Sequence, residues 1–97
     1  MLRLTLYWQA RRPVPRDYTV FVHCLDAEGR IVTQRDEQPL GGFYPTSLWQ
    51  PGEVIADTYD LSPSSLCRRI AVGMYLWPSL ERLRTPTGDT VIIELRP

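Results

Sequence analysis

The chain has no lysine and no asparagine, one histidine and two cysteines. Every basic side chain is therefore arginine, the coding bias of a GC-rich genome rather than a thermophilic signature, which would enrich Lys together with Glu. Eleven basic residues meet eleven acidic ones, for a formal net charge of +0. That balance excludes the broad positive field of a nucleic-acid-binding domain. Long apolar runs are also missing. The strongest, residues 70–80, is interrupted by Pro78 and falls short of the roughly 18–20 residues a membrane-spanning helix needs. Arg11, Arg12 and Arg16 follow the first apolar stretch instead of preceding it, so no secretory signal pattern is read there. With one His and two Cys, the paired spacing of a zinc site is absent. Asp57 and Asp60 lack an Asp-rich calcium loop around them and read as solvated strand-edge carboxylates. No metal or cofactor is expected.

What is present is ordinary globular material: 97 residues, 43% hydrophobic and 23% charged. That suits one small domain with little core to spare, and argues against disorder. Leu2, Leu4, Leu6 and Trp8 alternate with Arg3, Thr5, Tyr7 and Gln9, the period of a half-buried strand. Pro13 and Pro15 break the pattern, because proline cannot donate to a ladder. Further strands are expected over residues 18–25, 30–36, 53–61, 67–77 and 90–95, with a short one at 82–84. Gly29 closes a tight hairpin loop after Asp26. Residues 38–52 carry no charge but hold Leu40, Phe43, Tyr44, Leu48 and Trp49. Such a loop is expected to fold over one end of the core, with Trp49 buried. At most one helical turn fits residues 79–83. Six or seven short strands with turn signals between them predict an all-β fold. The expected architecture is an antiparallel β-sandwich, immunoglobulin-like or jelly-roll-like.

Chemistry is sparse. His23 lies mid-strand with no nucleophile-elbow pattern around any serine, so no catalytic residue is assigned. Cys24 and Cys67 either form a disulfide or remain two buried thiols; spacing alone does not decide. Tyr7, Phe21, Tyr75 and Trp77 fall opposite the most consistent apolar stripes. Aromatic rings beside polar groups such as Gln9 and His23 suit the mixed surface of a sugar. The competing reading is a second buried face. The candidate ligand-binding residues are Tyr7, Gln9, His23, Tyr44, Tyr75 and Trp77, with carbohydrate as the candidate partner.

Five segments carry a family resemblance: Leu4-Thr5-Leu6-Tyr7-Trp8-Gln9-Ala10, Asp17-Tyr18-Thr19-Val20-Phe21-Val22-His23, Pro39-Leu40-Gly41-Gly42, Tyr44-Pro45-Thr46-Ser47 and Trp49-Gln50-Pro51-Gly52-Glu53-Val54. Together they resemble the soluble C-terminal β-sandwich domain of bacterial membrane glycosyltransferases of the dolichyl-phosphate-mannose protein mannosyltransferase type. The resemblance implies one domain over residues 1–97 that lacks the family's usual first strand. It also implies a non-catalytic accessory role on the extracytoplasmic face of the membrane, since the transferase chemistry belongs to a membrane part not found in this chain. Leu66-Cys67-Arg68 departs from the Gly-x-Tyr that the family places before Val72-Gly73-Met74-Tyr75. With no strand before it, Leu2–Gln9 is expected to expose an edge, and pairing through that edge, as a homodimer or a swapped strand, is expected. The alternative is a protein-interaction or structural module with no small ligand.

Overall fold

A computed structural model describes residues 2–62 and 64–95. Among them are six strands: β1 (Leu2–Gln9), β2 (Thr19–Leu25), β3 (Ile31–Glu37), β4 (Val54–Leu61), β5 (Arg69–Tyr75) and β6 (Val91–Glu94). β1 and β4 pair antiparallel as a two-stranded sheet, and the other four form a sheet in the order β3-β2-β5-β6. The all-β sandwich expected from the alternation is the observed fold. The strand order of the larger sheet is that of C′-C-F-G in immunoglobulin variable-type domains, with β1 and β4 in the places of B and E.

The period-2 stripes set the core. Val20, Val22 and Cys24 of β2 meet Ile70, Val72 and Met74 of β5 on the inner face, and Ile55, Tyr59 and Leu61 of β4 close over them. The two facing sheets bury most of the apolar area, the dominant favourable term in folding. The expected strand at residues 82–84 is reduced to a single bridge between Tyr75 and Arg82. Residues 76–90 instead form an irregular arm after β5, tied back by Leu76 N–H to Glu81 O and by Leu83 N–H to Met74 O.

The uncharged loop between β3 and β4 folds onto the core through two turns of 3-10 helix, Pro39–Gly42 and Thr46–Leu48. Trp49 is buried, at 6% exposure, and its indole N–H donates to Tyr44 O at 2.9 Å. Asp57 corrects the expectation of a solvated carboxylate. Its side chain points inward from β4 between Ile55 and Tyr59 and is 1% exposed. It accepts from Trp8 Nε1–H at 3.1 Å, Tyr59 Oη–H at 2.6 Å and the Leu40 amide at 3.0 Å. Three donors make burial of a carboxylate affordable. Leu40, whose amide is one of these donors, has left-handed backbone at φ 55°. Asp60, three residues further along β4 and on its other face, pairs instead with Arg3 at 2.8 Å on the surface.

Cys24 and Cys67 are joined as a disulfide with Cα atoms 5.6 Å apart, inside the usual range for such bridges. It links the end of β2 to the segment leading into β5, whereas the immunoglobulin bridge crosses between sheets.

Candidate functional site

On the outer face of the larger sheet, register brings together residues far apart in sequence. Across β2 and β3, Phe21 faces Asp36 and His23 faces Gln34. Across β2 and β5, Thr19 faces Tyr75 and Phe21 faces Gly73. His23 and Tyr75 converge on one carboxylate. His23 Nε2 lies 3.2 Å from Asp36 Oδ1, and Tyr75 Oη–H donates to Asp36 Oδ2 at 3.1 Å. The contact is a hydrogen bond in the tautomer that carries a proton on Nε2, with Asp36 accepting. Burial, and then the hydrogen bond to Asp36, raise the Tyr75 phenol above its ordinary pKa, so it remains a neutral donor.

Phe21 forms the floor of this cluster. It points outward from β2 yet is only 1% exposed. His23 and Tyr75 flank it, with ring centroids 4.9 and 6.3 Å away. The arm supplies the cover: the Arg82 guanidinium lies 4.6 Å from the Phe21 ring centroid. Arg82 is itself anchored by donating to Thr90 Oγ1 at 2.9 Å and by Asp89 at 3.5 Å. Between these groups lies a cleft of about 300 Å³, lined by His23, Gln34, Asp36, Tyr75 and Arg82 with Phe21, Ile31 and Leu80. An imidazole, an amide, a carboxylate, a phenol and a guanidinium thus meet over aromatic carbon.

The other candidate residues lie elsewhere. Tyr7 and Gln9 point outward from β1 on the smaller sheet, beside Ala56 and Val54 of β4. That is the opposite side of the sandwich from His23 and Tyr75. Tyr7 is 72% exposed, and the Gln9 amide donates to Gly52 O at 2.8 Å. Tyr44 is spent on the loop: its hydroxyl donates to Glu53 Oε1 at 2.6 Å and lies 3.2 Å from Leu48 O. Trp77 projects into solvent from the first turn of the arm. A single surface spanning all six is therefore not assembled. The residues not singled out from the sequence are Gln34, Asp36 and Arg82. The first two sit opposite and next to His23 only because the register shifts between Cys24 and Leu25, which a count through the hairpin does not reveal; Arg82 carries no local signal.

A second cleft, of about 350 Å³, opens along one side of the sandwich between β1, β5 and the arm. Among the described residues, no group of three or more His, Cys, Asp or Glu side chains is placed to hold a metal ion. No described helix is long and apolar enough to cross a membrane. Comparison of the chain with protein-family models, curated proteins and solved structures found no match.

Proposed function

We propose that this β-sandwich is a non-catalytic binding module whose outer-face cleft takes a carbohydrate. The observation that carries the reading is the convergence of His23, Gln34, Asp36, Tyr75 and Arg82 on one cleft floored by Phe21. A sugar presents alternating hydroxyl donors and acceptors around a ring with apolar C–H faces. An acceptor (Asp36), donors (Arg82, the Gln34 amide), an imidazole and ring carbon in one place match that surface. The volume sits at the small end for ligand pockets, which suits a single sugar ring. The resemblance of the Trp49-Gln50-Pro51-Gly52 segment to glycosyltransferase tails fits an accessory role of this kind. The Cys24–Cys67 disulfide fits an oxidising, extracytoplasmic compartment.

The test is an NMR titration of the full chain with mannose, glucose and short oligosaccharides. Expected are shifts at His23, Gln34, Asp36 and Tyr75 with affinity near millimolar, because a shallow cleft buries little ligand. Asp36→Asn and Tyr75→Phe should each weaken binding in a folded protein, and Tyr7→Ala should leave it unchanged. No shifts at tens of millimolar sugar, or shifts centred on Tyr7, would overturn the reading.

A second reading, a protein-interaction module, is favoured by a different observation. Among the described residues β1 pairs with β4 on one side only and leaves an eight-residue strand edge open. A homodimer through this edge is the simplest form of that reading.

A further inference from the structure

The loop between β3 and β4 carries apolar side chains that the fold leaves uncovered. Pro39, Thr46 and Trp49 turn inward and are buried, whereas Phe43 and Leu48 turn outward at 91% and 56% exposure. The loop that carries them is pinned. The Phe43 amide donates to Leu40 O, the Tyr44 hydroxyl lies 3.2 Å from Leu48 O, and the Trp49 indole donates to Tyr44 O. Phe43 and Leu48 are thus presented without the ordering cost of an untethered segment. Neither lines either of the two clefts; both project from the surface. Residues 38–52 contain no charge, but the connection from β1 to β2 runs beside them. Ala10 O accepts from the Gly52 amide, and the Thr46 hydroxyl bonds both Arg16 O and the Tyr18 amide. This connection holds Arg11, Arg12 and Arg16, all exposed. Among the described residues none of the three is paired with a carboxylate. The carboxylates adjoining the loop are already engaged. Asp17 accepts from the Ser47 amide, Glu53 from the Tyr44 hydroxyl and the Gln50 amide, and Glu37 pairs with Arg35.

We propose that this loop docks on an anionic lipid bilayer, with Phe43 and Leu48 entering the boundary between headgroups and acyl chains and the three arginines meeting lipid phosphates. Charge and shape select this occupant. The absence of charge across residues 38–52 means that insertion drags no ion out of water. The basic groups flank the apolar tip instead of sitting in it. That is how peripheral proteins join apolar burial to attraction for anionic lipid. Long arginine stems also let the guanidinium groups stay at headgroup level while their carbons follow the loop down. A projecting tip needs no shaped counter-surface in a bilayer, whereas a protein partner must supply a matching hollow. The attraction comes from local placement, because the chain as a whole has a formal charge of +0. The surface shares no residue with the cleft beneath Arg82, so it stands apart from the carbohydrate reading.

The experiment is co-sedimentation of the full chain with vesicles of phosphatidylglycerol and phosphatidylcholine in equal parts, and with vesicles of phosphatidylcholine alone. Expected is binding to the anionic vesicles that weakens at least tenfold on the neutral ones. Phe43→Ser should weaken it about tenfold, and Arg11→Gln with Arg12→Gln by about tenfold or more. Leu48→Ser is the second apolar variant should the first fail to fold. Leu66→Ser removes an apolar side chain of 61% exposure at the opposite end of the sandwich and should leave binding unchanged. With a spin-labelled lipid, NMR broadening should centre on Phe43 and Leu48. The proposal is overturned by no binding to the anionic vesicles, by equal binding to both kinds, by an equal loss in Leu66→Ser, or by broadening centred elsewhere. Loss in the arginine variant with none in Phe43→Ser or Leu48→Ser also overturns it, since nothing is then inserted. A self-associating chain that Phe43→Ser makes monomeric, with no vesicle binding, assigns the surface to a protein contact instead.

Discussion

The ring of Phe21 occupies the space above the Cα of Gly73, its partner across β2 and β5. A Cβ built on Gly73 would enter the ring and come within 2.7 Å of the Asp89 carbonyl oxygen. The glycine is thus a requirement of the outer-face site: without it, Phe21 could not lie flat as the floor beneath His23 and Tyr75. Gly73→Ala should destabilise the fold by about 1–3 kcal/mol, the usual cost of overpacking, and displace Arg82 from the ring. Chemical denaturation gives the first quantity, and loss of ring-current shifts on Arg82 the second. A fully neutral substitution would show that Phe21 is free to move aside.

Asp57 holds the loop between β3 and β4 against the core, so its loss should propagate outward. Asp57→Ala strands the Trp8 indole N–H, the Tyr59 hydroxyl and the Leu40 amide. Unpaired buried donors cost about 1–3 kcal/mol each, and a small domain has only about 5–15 kcal/mol to lose. We expect Asp57→Ala to be unfolded or nearly so at 37 °C, and Asp57→Asn to fold with a lowered Tm. A calorimetric scan of the two variants checks the order.

The Cys24–Cys67 bridge closes a loop with a sequence separation of 43. In the chain-entropy account a loop of that length contributes about 4 kcal/mol. Unfolding by urea with and without reductant should differ by roughly 2–5 kcal/mol, with m larger in the reduced chain. A difference below about 0.5 kcal/mol, the range of surface substitutions, would count against a closed bridge in solution.

Alkaline pH should weaken the fold. Burial, and then the hydrogen bond to Asp57, raise the Tyr59 phenol far above its ordinary value of 10.0. Below pH 10 both folded and unfolded chains keep this proton. Above it the unfolded chain releases the proton and the folded chain does not, so stability falls by up to about 1.4 kcal/mol per pH unit. Urea midpoints measured from pH 9 to pH 11 should decline, and Tyr59→Phe should flatten that decline.

Much of this was legible in the chain itself. Strict alternation in residues 2–9, 18–25 and 70–76 assigned three strands and their inner faces, because both faces of a strand cannot be apolar unless both are covered. Phe21 is the informative exception. It sits on the outer face, as its period-2 position demands, yet it is buried, because the arm returns over it. Nothing in residues 76–90 signals that return: their contacts to Phe21 and Met74 are tertiary. Asp57 reads as solvated in the sequence for a related reason. An Asp in an alternating strand looks solvated until its donors are known, and these come from Trp8 and Leu40, on β1 and in the loop. Tyr7 and Tyr75 look equivalent by periodicity, and only sheet order separates them. The two cysteines left both outcomes open until the strand ends were seen to meet.

The arm after β5 is a wall common to two rooms. Leu80 and Arg82 face the polar cleft, while Leu83, Thr85, Asp89 and Thr90 face the apolar one. Its hold on the sheet is slight, a single bridge at Tyr75 and Arg82 and a few main-chain hydrogen bonds. The Arg82–Asp89 pair straddles the partition. A ligand that displaced this wall from one side would reshape the cleft on the other, and such a coupling would be equal in both directions.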